Sequence, residues 1–190
     1  MRSAEDVLHC FQAFKNYRPV ISGVLQVIKM TKCMTTFFIF MACLSFSIAA
    51  QIDLVKVDKS KRRLYLIEQG QTIKTYRIAL GKFPKGAKHQ EGDQRTPEGE
   101  YVLDAVNLNS NFYKAFHISY PATKDIDYAK QHTLNPGGDI QIHGLKNGYN
   151  RPPEFIQSFD WTNGCIALTN EEMDELIRLV PIGTPIHIEW

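Results

Sequence analysis

Cys165 stands in the stretch Asp160-Trp161-Thr162-Asn163-Gly164-Cys165-Ile166-Ala167-Leu168, and twenty-two residues upstream lies Ile140-Gln141-Ile142-His143-Gly144. A thiol and an imidazole together can transfer acyl groups. A free thiol titrates at about 8.5, so little of it is thiolate at neutral pH. A neighbouring histidine lowers that value or takes the proton as attack occurs. The oxyanion of the tetrahedral intermediate then needs hydrogen-bond donors, and backbone N–H groups are the nearest source. Gly164 puts no side chain between a substrate carbonyl and the Cys165 amide, and it tolerates unusual dihedrals. Gly144 leaves space beside His143 in the same way. The residue types alone leave a second reading open, in which Cys165 is a buried inert thiol and His143 an ordinary core histidine.

The other three cysteines, Cys10, Cys33 and Cys43, all lie in the first 50 residues. That region differs from the rest. Lys29 and Lys32 precede an apolar run from Met34 to Ala50 that ends in small residues. A basic flank, an apolar core and small residues are the parts of a secretory signal. Residues 1–50 are therefore expected to be a leader, with cleavage near Ala49 or Ala50. Residues 1–29 read as an over-long start ahead of a true initiation at Met30 or Met34. An uncleaved membrane anchor is the alternative, although the strongly apolar core is short for a span of about 20 residues. Removing the leader takes away Arg2, Lys15, Arg18, Lys29 and Lys32 with Glu5 and Asp6, turning a net charge of +2 into about −1. No electrostatic case for nucleic acid remains. A lone cysteine in an exported domain has no partner for an internal disulfide.

Residues 51–190 are expected to form one mainly β domain. Residues 52–57 and 63–68 are short β-favouring runs flanking a charged turn, and 72–80 supplies a third strand of a meander. The basic cluster Lys59, Lys61, Arg62 and Arg63 reads as a solvated turn. A polar stretch rich in Gly and Pro follows, then strands at 101–105 and 116–120. Residues 124–132 suggest a brief helix, 139–143 a strand and 145–160 a loop. One helix is well marked. Thr169 and Glu172 have capping-box spacing, Asn170 is also a good N-cap, and Met173, Leu176, Ile177 and Val180 make one apolar face. Pro181 and Gly183 end it, and 185–189 closes the chain as a strand.

Three blocks carry a resemblance. Glu91-Gly92-Asp93-Gln94-Arg95-Thr96-Pro97-Glu98-Gly99-Glu100-Tyr101 is similar to a Gly-Asp…Thr-Pro-x-Gly-x-Tyr segment, and Ile142-His143-Gly144 and Thr162-Asn163-Gly164-Cys165-Ile166 follow in order. Together they resemble the L,D-transpeptidase catalytic domain, the YkuD-type family of bacterial cell-wall enzymes, over residues 52–190. The resemblance implies a β-sandwich-like fold with one or two short helices, and with cysteine and histidine on facing strands under a loop. It implies Cys165 as nucleophile, His143 as base and a backbone carbonyl near Gly144 orienting the imidazole. It implies a peptidoglycan stem peptide as substrate, a location in the periplasm or cell envelope, and no metal or organic cofactor. The thioester passes to an amine or to water.

Two positions depart from the commonest family pattern. Asn163 stands where many members have His, and it can donate a hydrogen bond but cannot carry a proton. Ala167 stands where many have Arg, which removes a cation able to hold a substrate carboxylate. A YafK-like branch with Gly-Cys-x-Ala shares the second change. Phe112-Tyr113-Lys114 and Ile118-Ser119-Tyr120-Pro121 are also similar to that branch, some of whose members cut a link between peptidoglycan and an attached lipoprotein. A wall-linked lipoprotein is thus a second partner class beside the stem peptide. Trp161, Thr162, Tyr120 and His117 are candidate substrate contacts, although Trp161 and His117 also fit packing roles. His187 reads as structural, and His89 and His132 as solvated. The Gly92-to-Gly99 block reads as a turn under the site. No Cys–Cys or His–His pair stands at metal-ligand spacing, so no metal is expected.

Overall fold

The computed structural model describes residues 51–149 and 151–190, so the expected leader lies outside the described residues. Among the described residues, no helix is long and apolar enough to cross a membrane. The chain forms β1 (Leu54–Asp58), β2 (Arg63–Glu68), β3 (Gln71–Arg77), β4 (Gly99–Ser110), β5 (Tyr113–Ile118), α1 (Thr123–Gln131), β6 (Gln141–His143), α2 (Pro153–Ile156), β7 (Ile166–Ala167), α3 (Asn170–Leu179) and β8 (Thr184–Glu189). The meander is present, with β1 antiparallel to β2 and β2 to β3. Alternation buries Val55 and Val57 from β1, and Leu64 and Leu66 from β2. All eight strands lie in one sheet, in the order β3-β2-β1-β8-β4-β5-β6-β7. The last strand of the chain sits in the middle, parallel to β1 and antiparallel to β4.

The two ends of this sheet meet. Beyond β3 the chain runs on, and Ala79 exchanges backbone hydrogen bonds of 3.1 and 2.9 Å with Ala167 of β7. Thr162 N–H donates to Leu80 O at 3.1 Å, and Lys82 N–H donates to Thr162 O at 3.1 Å. The sheet therefore folds over its own apolar face, giving the sandwich-like closure around a core that includes Tyr76, Leu103, Phe116, Ile142 and Ile186. Helix α3 lays Met173 and Leu176 on that core. Its N-terminus carries both capping-box bonds: Glu172 N–H donates to Thr169 Oγ1, and Thr169 N–H donates to the Glu172 carboxylate.

Three features differ from the sequence expectations. Strand β4 continues to Ser110 although its outer residues are mostly exposed, because β5 supplies a backbone ladder as far as Tyr113. The 145–160 loop contains the single turn α2, and two-residue β7 follows the cysteine. The basic turn is not uniformly solvated. Lys59 is fully buried, and its ammonium donates to Gly86 O and Thr96 O at 2.8 Å and to Glu98 Oε1 at 2.9 Å. Three acceptors use all three ammonium protons and offset the cost of burying the charge. Arg62 from the same turn reaches Asp160, donating from Nη2 at 2.7 Å and Nε at 3.2 Å.

Removing the buried ammonium leaves two carbonyls and one carboxylate unpaired. Lys59→Met should therefore lower the unfolding free energy by about 3 kcal/mol. Urea denaturation followed by circular dichroism checks this, and an unchanged midpoint would contradict it.

Candidate active site

The site is built where β6 and β7 run side by side. Their parallel register pairs Ile142 with Ile166 and His143 with Ala167. Continued one step, it sets Cys165 beside Gln141. Residues two apart share a face, so Gln141, His143 and Cys165 project on the same side of the sheet. Histidine thus closes β6 and cysteine stands immediately before the neighbouring strand β7, side by side in one sheet rather than on facing strands. The turn before β7 is held by Thr162, a buried residue whose hydroxyl donates to Cys165 O at 2.6 Å and accepts from Gly164 N–H at 3.1 Å. Asp160 anchors the approach, its second carboxylate oxygen accepting from Leu80 N–H at 3.1 Å while the first takes Arg62.

The imidazole is fixed on three sides. His143 Nδ1 lies 2.7 Å from Gly144 O. A carbonyl only accepts, so Nδ1 carries the proton and Nε2 is left as the basic nitrogen. Phe112 packs on the ring at a centroid distance of 4.5 Å, and Trp161 meets it edge-on at 5.7 Å. Burial between these rings pushes the imidazole below its ordinary value, against the opposing effect of the Gly144 carbonyl. Burial also raises the Cys165 thiol, partly offset by the backbone N–H of Gln141. The thiol's hydrogen-bond contact is Asp139 O at 3.8 Å, and among the described residues no hydrogen bond joins it to His143. Both directions disfavour the charged forms, and no hydrogen bond among the described residues links the two groups as an ion pair.

The glycines act differently from one another. At Gly164 φ is +134°, and a Cβ would lie 2.8 Å from Arg95 O. Its N–H is taken by Thr162. Among the described residues the N–H groups of Asn163 and Cys165 have no acceptor. Gly144 does not leave open space beside His143. A Cβ there would meet Asn170 Oδ1 at 2.7 Å and Tyr113 Cβ at 3.0 Å. That Asn170 oxygen accepts from Leu145 N–H, pinning the chain after the histidine to the start of α3.

Two cavities open on Cys165. One, of about 580 Å³, is lined by His143, Phe112, Trp161, Thr162, Asn163 and Cys165, with Lys82, Lys146, Asp139, Gln141 and the Asn107–Asn111 end of the β4–β5 hairpin. The other, of about 400 Å³, is lined by Lys88, Glu91, Gln94, Gly137, Gly138, Asp139, Asn163 and Cys165. Asp139, Asn163 and Cys165 border both. Tyr120 and His117 border neither. Tyr120 is buried in the core with its hydroxyl donated to Pro136 O at 3.0 Å, and His117 is engaged by the Asp104 carboxylate at 2.6 Å. His187 bridges Glu100 and Glu189. His89 and His132 are exposed, yet they stack on the two sides of Tyr128. The Gly92-to-Gly99 block does form a turn under the site. Asp93 gathers the N–H groups of His89, Gln90 and Arg95, and Thr96 Oγ1 accepts from Gly81 N–H. Sequence reasoning did not assign Gln141, Asp139, Lys82 or Lys146 to the site, because each is an ordinary polar residue until the sheet closes.

Comparison with known proteins gives the class. The family model of the L,D-transpeptidase catalytic domain, YkuD, matches residues 52–188, and the chain belongs to that family. YafK of Escherichia coli (strain K12) is 29% identical over 132 residues, covering 66% of this chain and 46% of that protein. YkuD of Bacillus licheniformis is 30% identical over 134 residues, covering 70% and 64%. The chain thus spans about half to two-thirds of the length of these relatives. Among solved structures, the helical cell shape determining protein Pgp2 from Campylobacter jejuni superposes with a TM-score of 0.54 at 28% identity, over 72% of this chain and 46% of that one. Bd1075 from Bdellovibrio bacteriovorus gives 0.52 at 26% identity, over 76% and 50%.

The directions in which burial moves the two groups make a pH prediction. The folded thiol is raised and the folded imidazole lowered, so thiolate appears only as pH climbs above the ordinary thiol range of about 8.5. Iodoacetamide alkylation of Cys165, followed by mass spectrometry, should rise through that alkaline range. A fast plateau at neutral pH that disappears on acidification would show a preformed thiolate–imidazolium pair instead.

Proposed function

We propose that this chain is a cysteine-dependent acyl-transfer enzyme acting on peptidoglycan stem peptides in the periplasm, with residues 1–50 as its export leader and 51–190 as its catalytic domain. Cys165 Sγ attacks the carbonyl at the L-centre of the stem's diamino acid, usually meso-diaminopimelate, while His143 Nε2 takes the thiol proton. The Cys165 N–H faces the developing oxyanion. Collapse breaks the C–N bond, and the imidazolium returns the proton to the departing D-alanine amine. The resulting thioester is then attacked by the amine of a second stem. A new C–N bond forms, the C–S bond breaks, and the amine's proton passes through His143 back to sulfur.

The observation that carries this reading is that Cys165 borders two cavities, with His143 on the wall of the larger. A hydrolase needs room for one peptide and a water, whereas transfer between two peptides needs an approach for each. The raised thiol and lowered imidazole fit the same scheme, because a general base removes the proton only as attack occurs. Water as acceptor would give the hydrolytic members of the same class, including release of a wall-attached lipoprotein.

The test is muropeptide analysis by mass spectrometry. The full chain, Cys165→Ala and His143→Ala are each incubated with tetrapeptide-containing fragments. Dimers formed with loss of D-alanine are expected from the wild type, none from Cys165→Ala, and a rate lowered by about 10²-fold or more from His143→Ala. Tripeptides without dimers would replace the amine by water, and turnover by Cys165→Ala would sink the mechanism.

A further inference from the structure

Among the described residues, the larger cavity is lined by two exposed lysines and one carboxylate, Asp139, a surplus of one positive charge. Lys82 and Lys146 both line it together with Cys165 and His143. Among the described residues neither ammonium has a carboxylate within ion-pair distance, as is also true of Lys85, Lys124 and Lys130, but Lys82 and Lys146 are the two of these five that line this cavity. Lys82 Nζ has the amide oxygen of Asn163 at 3.4 Å, two residues before the thiol. Lys146 follows His143 by three residues. The two cations therefore enter from different segments, one from the chain after β3 and one from the chain after β6. The single carboxylate on the cavity wall, Asp139, accepts from the Gln141 side-chain amide. The rest of the polar lining is amides and hydroxyls, with Asn107, Asn109 and Asn111 along the hairpin. Ala167, two residues past the thiol, is buried and offers no charge.

Two ammonium groups against the one Asp139 carboxylate leave a net positive surface that an anion relieves. Amides around them supply neutral donors but no counter-charge. We propose that Lys82 and Lys146 together hold a carboxylate of the acyl-donor peptide and so set its register against Cys165. This rests on the acyl-transfer reading and adds to it the group by which the donor is recognised. The stem tetrapeptide carries several carboxylates, at the terminal D-alanine and within the diamino acid among them, and all present the same chemistry to an ammonium.

The experiment is titration calorimetry on the full chain carrying Cys165→Ala, so that binding is read without turnover. The ligands are the stem tetrapeptide and versions amidated at one carboxylate each. Lys82→Gln and Lys146→Gln should each raise Kd about tenfold, as expected for loss of a charge-assisted hydrogen bond. One amidated peptide should bind the parent chain about as weakly as the native peptide binds the double variant. The lysine substitutions should then have no further effect on that peptide, which identifies the carboxylate held. Thermal midpoints unchanged by the substitutions confirm that folding is intact. Unchanged Kd values in both lysine variants, equal losses with every amidated peptide, or no binding of the native peptide would each overturn the proposal. Turnover by the wild type is read separately. Binding that depends on the lysines without any turnover would keep the clamp and sink acyl transfer, and turnover with lysine-independent binding would do the reverse.

Discussion

Three stretches of backbone meet with no room for a side chain between them, and the rest of the site depends on that meeting. A Cβ on Gly81 would lie 2.2 Å from Gln94 O and 3.1 Å from the Gly164 Cα, and a Cβ on Gly164 would lie 2.8 Å from Arg95 O. The segment after β3, the Gly-Asp turn and the cysteine turn are therefore one packed unit. Thr96 and Thr162 tie it with side-chain hydrogen bonds to Gly81 N–H, Gly164 N–H and Cys165 O. This contact closes the sheet, and it also fixes the direction in which the Cys165 amide and thiol project.

Buried charge holds the unit from behind. Lys59 gathers three acceptors from the 86–98 region, and Arg62 from the same tight turn fixes Asp160 just ahead of the cysteine turn. A partly exposed ion pair contributes little by itself. A fully buried ammonium is different, because its partners cannot be re-solvated if it is lost. The β1–β2 turn is therefore a structural link between the sheet and the site, although it lies far from both cavities in sequence.

What was legible in the sequence is what local chemistry determines. Helix α3 could be placed because Thr169, Glu172 and the apolar spacing of Met173 and Leu176 lie within one short window. Strands β1 to β3 announced themselves by alternation and by their turns. Lys59 was hidden because its partners are 27 to 39 residues away, and a lysine in a charged turn ordinarily points to solvent. The outer half of β4 was hidden because its pairing with β5, not its composition, keeps it extended. The cysteine and histidine could be named from type and spacing, but the two-cavity setting and the burial that lowers the imidazole and raises the thiol arise only once the chain packs. Tyr120 and His117 looked like site residues because they are polar aromatics near matching motifs. Their hydrogen bonds go instead to Pro136 O and the Asp104 carboxylate, and neither side chain lines either cavity.

The proposed chemistry needs little beyond this geometry. The Gly144 carbonyl chooses the tautomer, the flanking rings bury the imidazole and so disfavour its charged form, and the Cys165 N–H, which has no acceptor among the described residues, is available where negative charge would develop. The most direct test is intact-mass spectrometry of the full chain after brief exposure to stem tetrapeptide and acid quench. The account predicts a protein adduct equal to the peptide minus D-alanine, on Cys165, removed by hydroxylamine and absent from Cys165→Ala. Turnover of the peptide with the adduct absent from Cys165, or present on another residue, would contradict it.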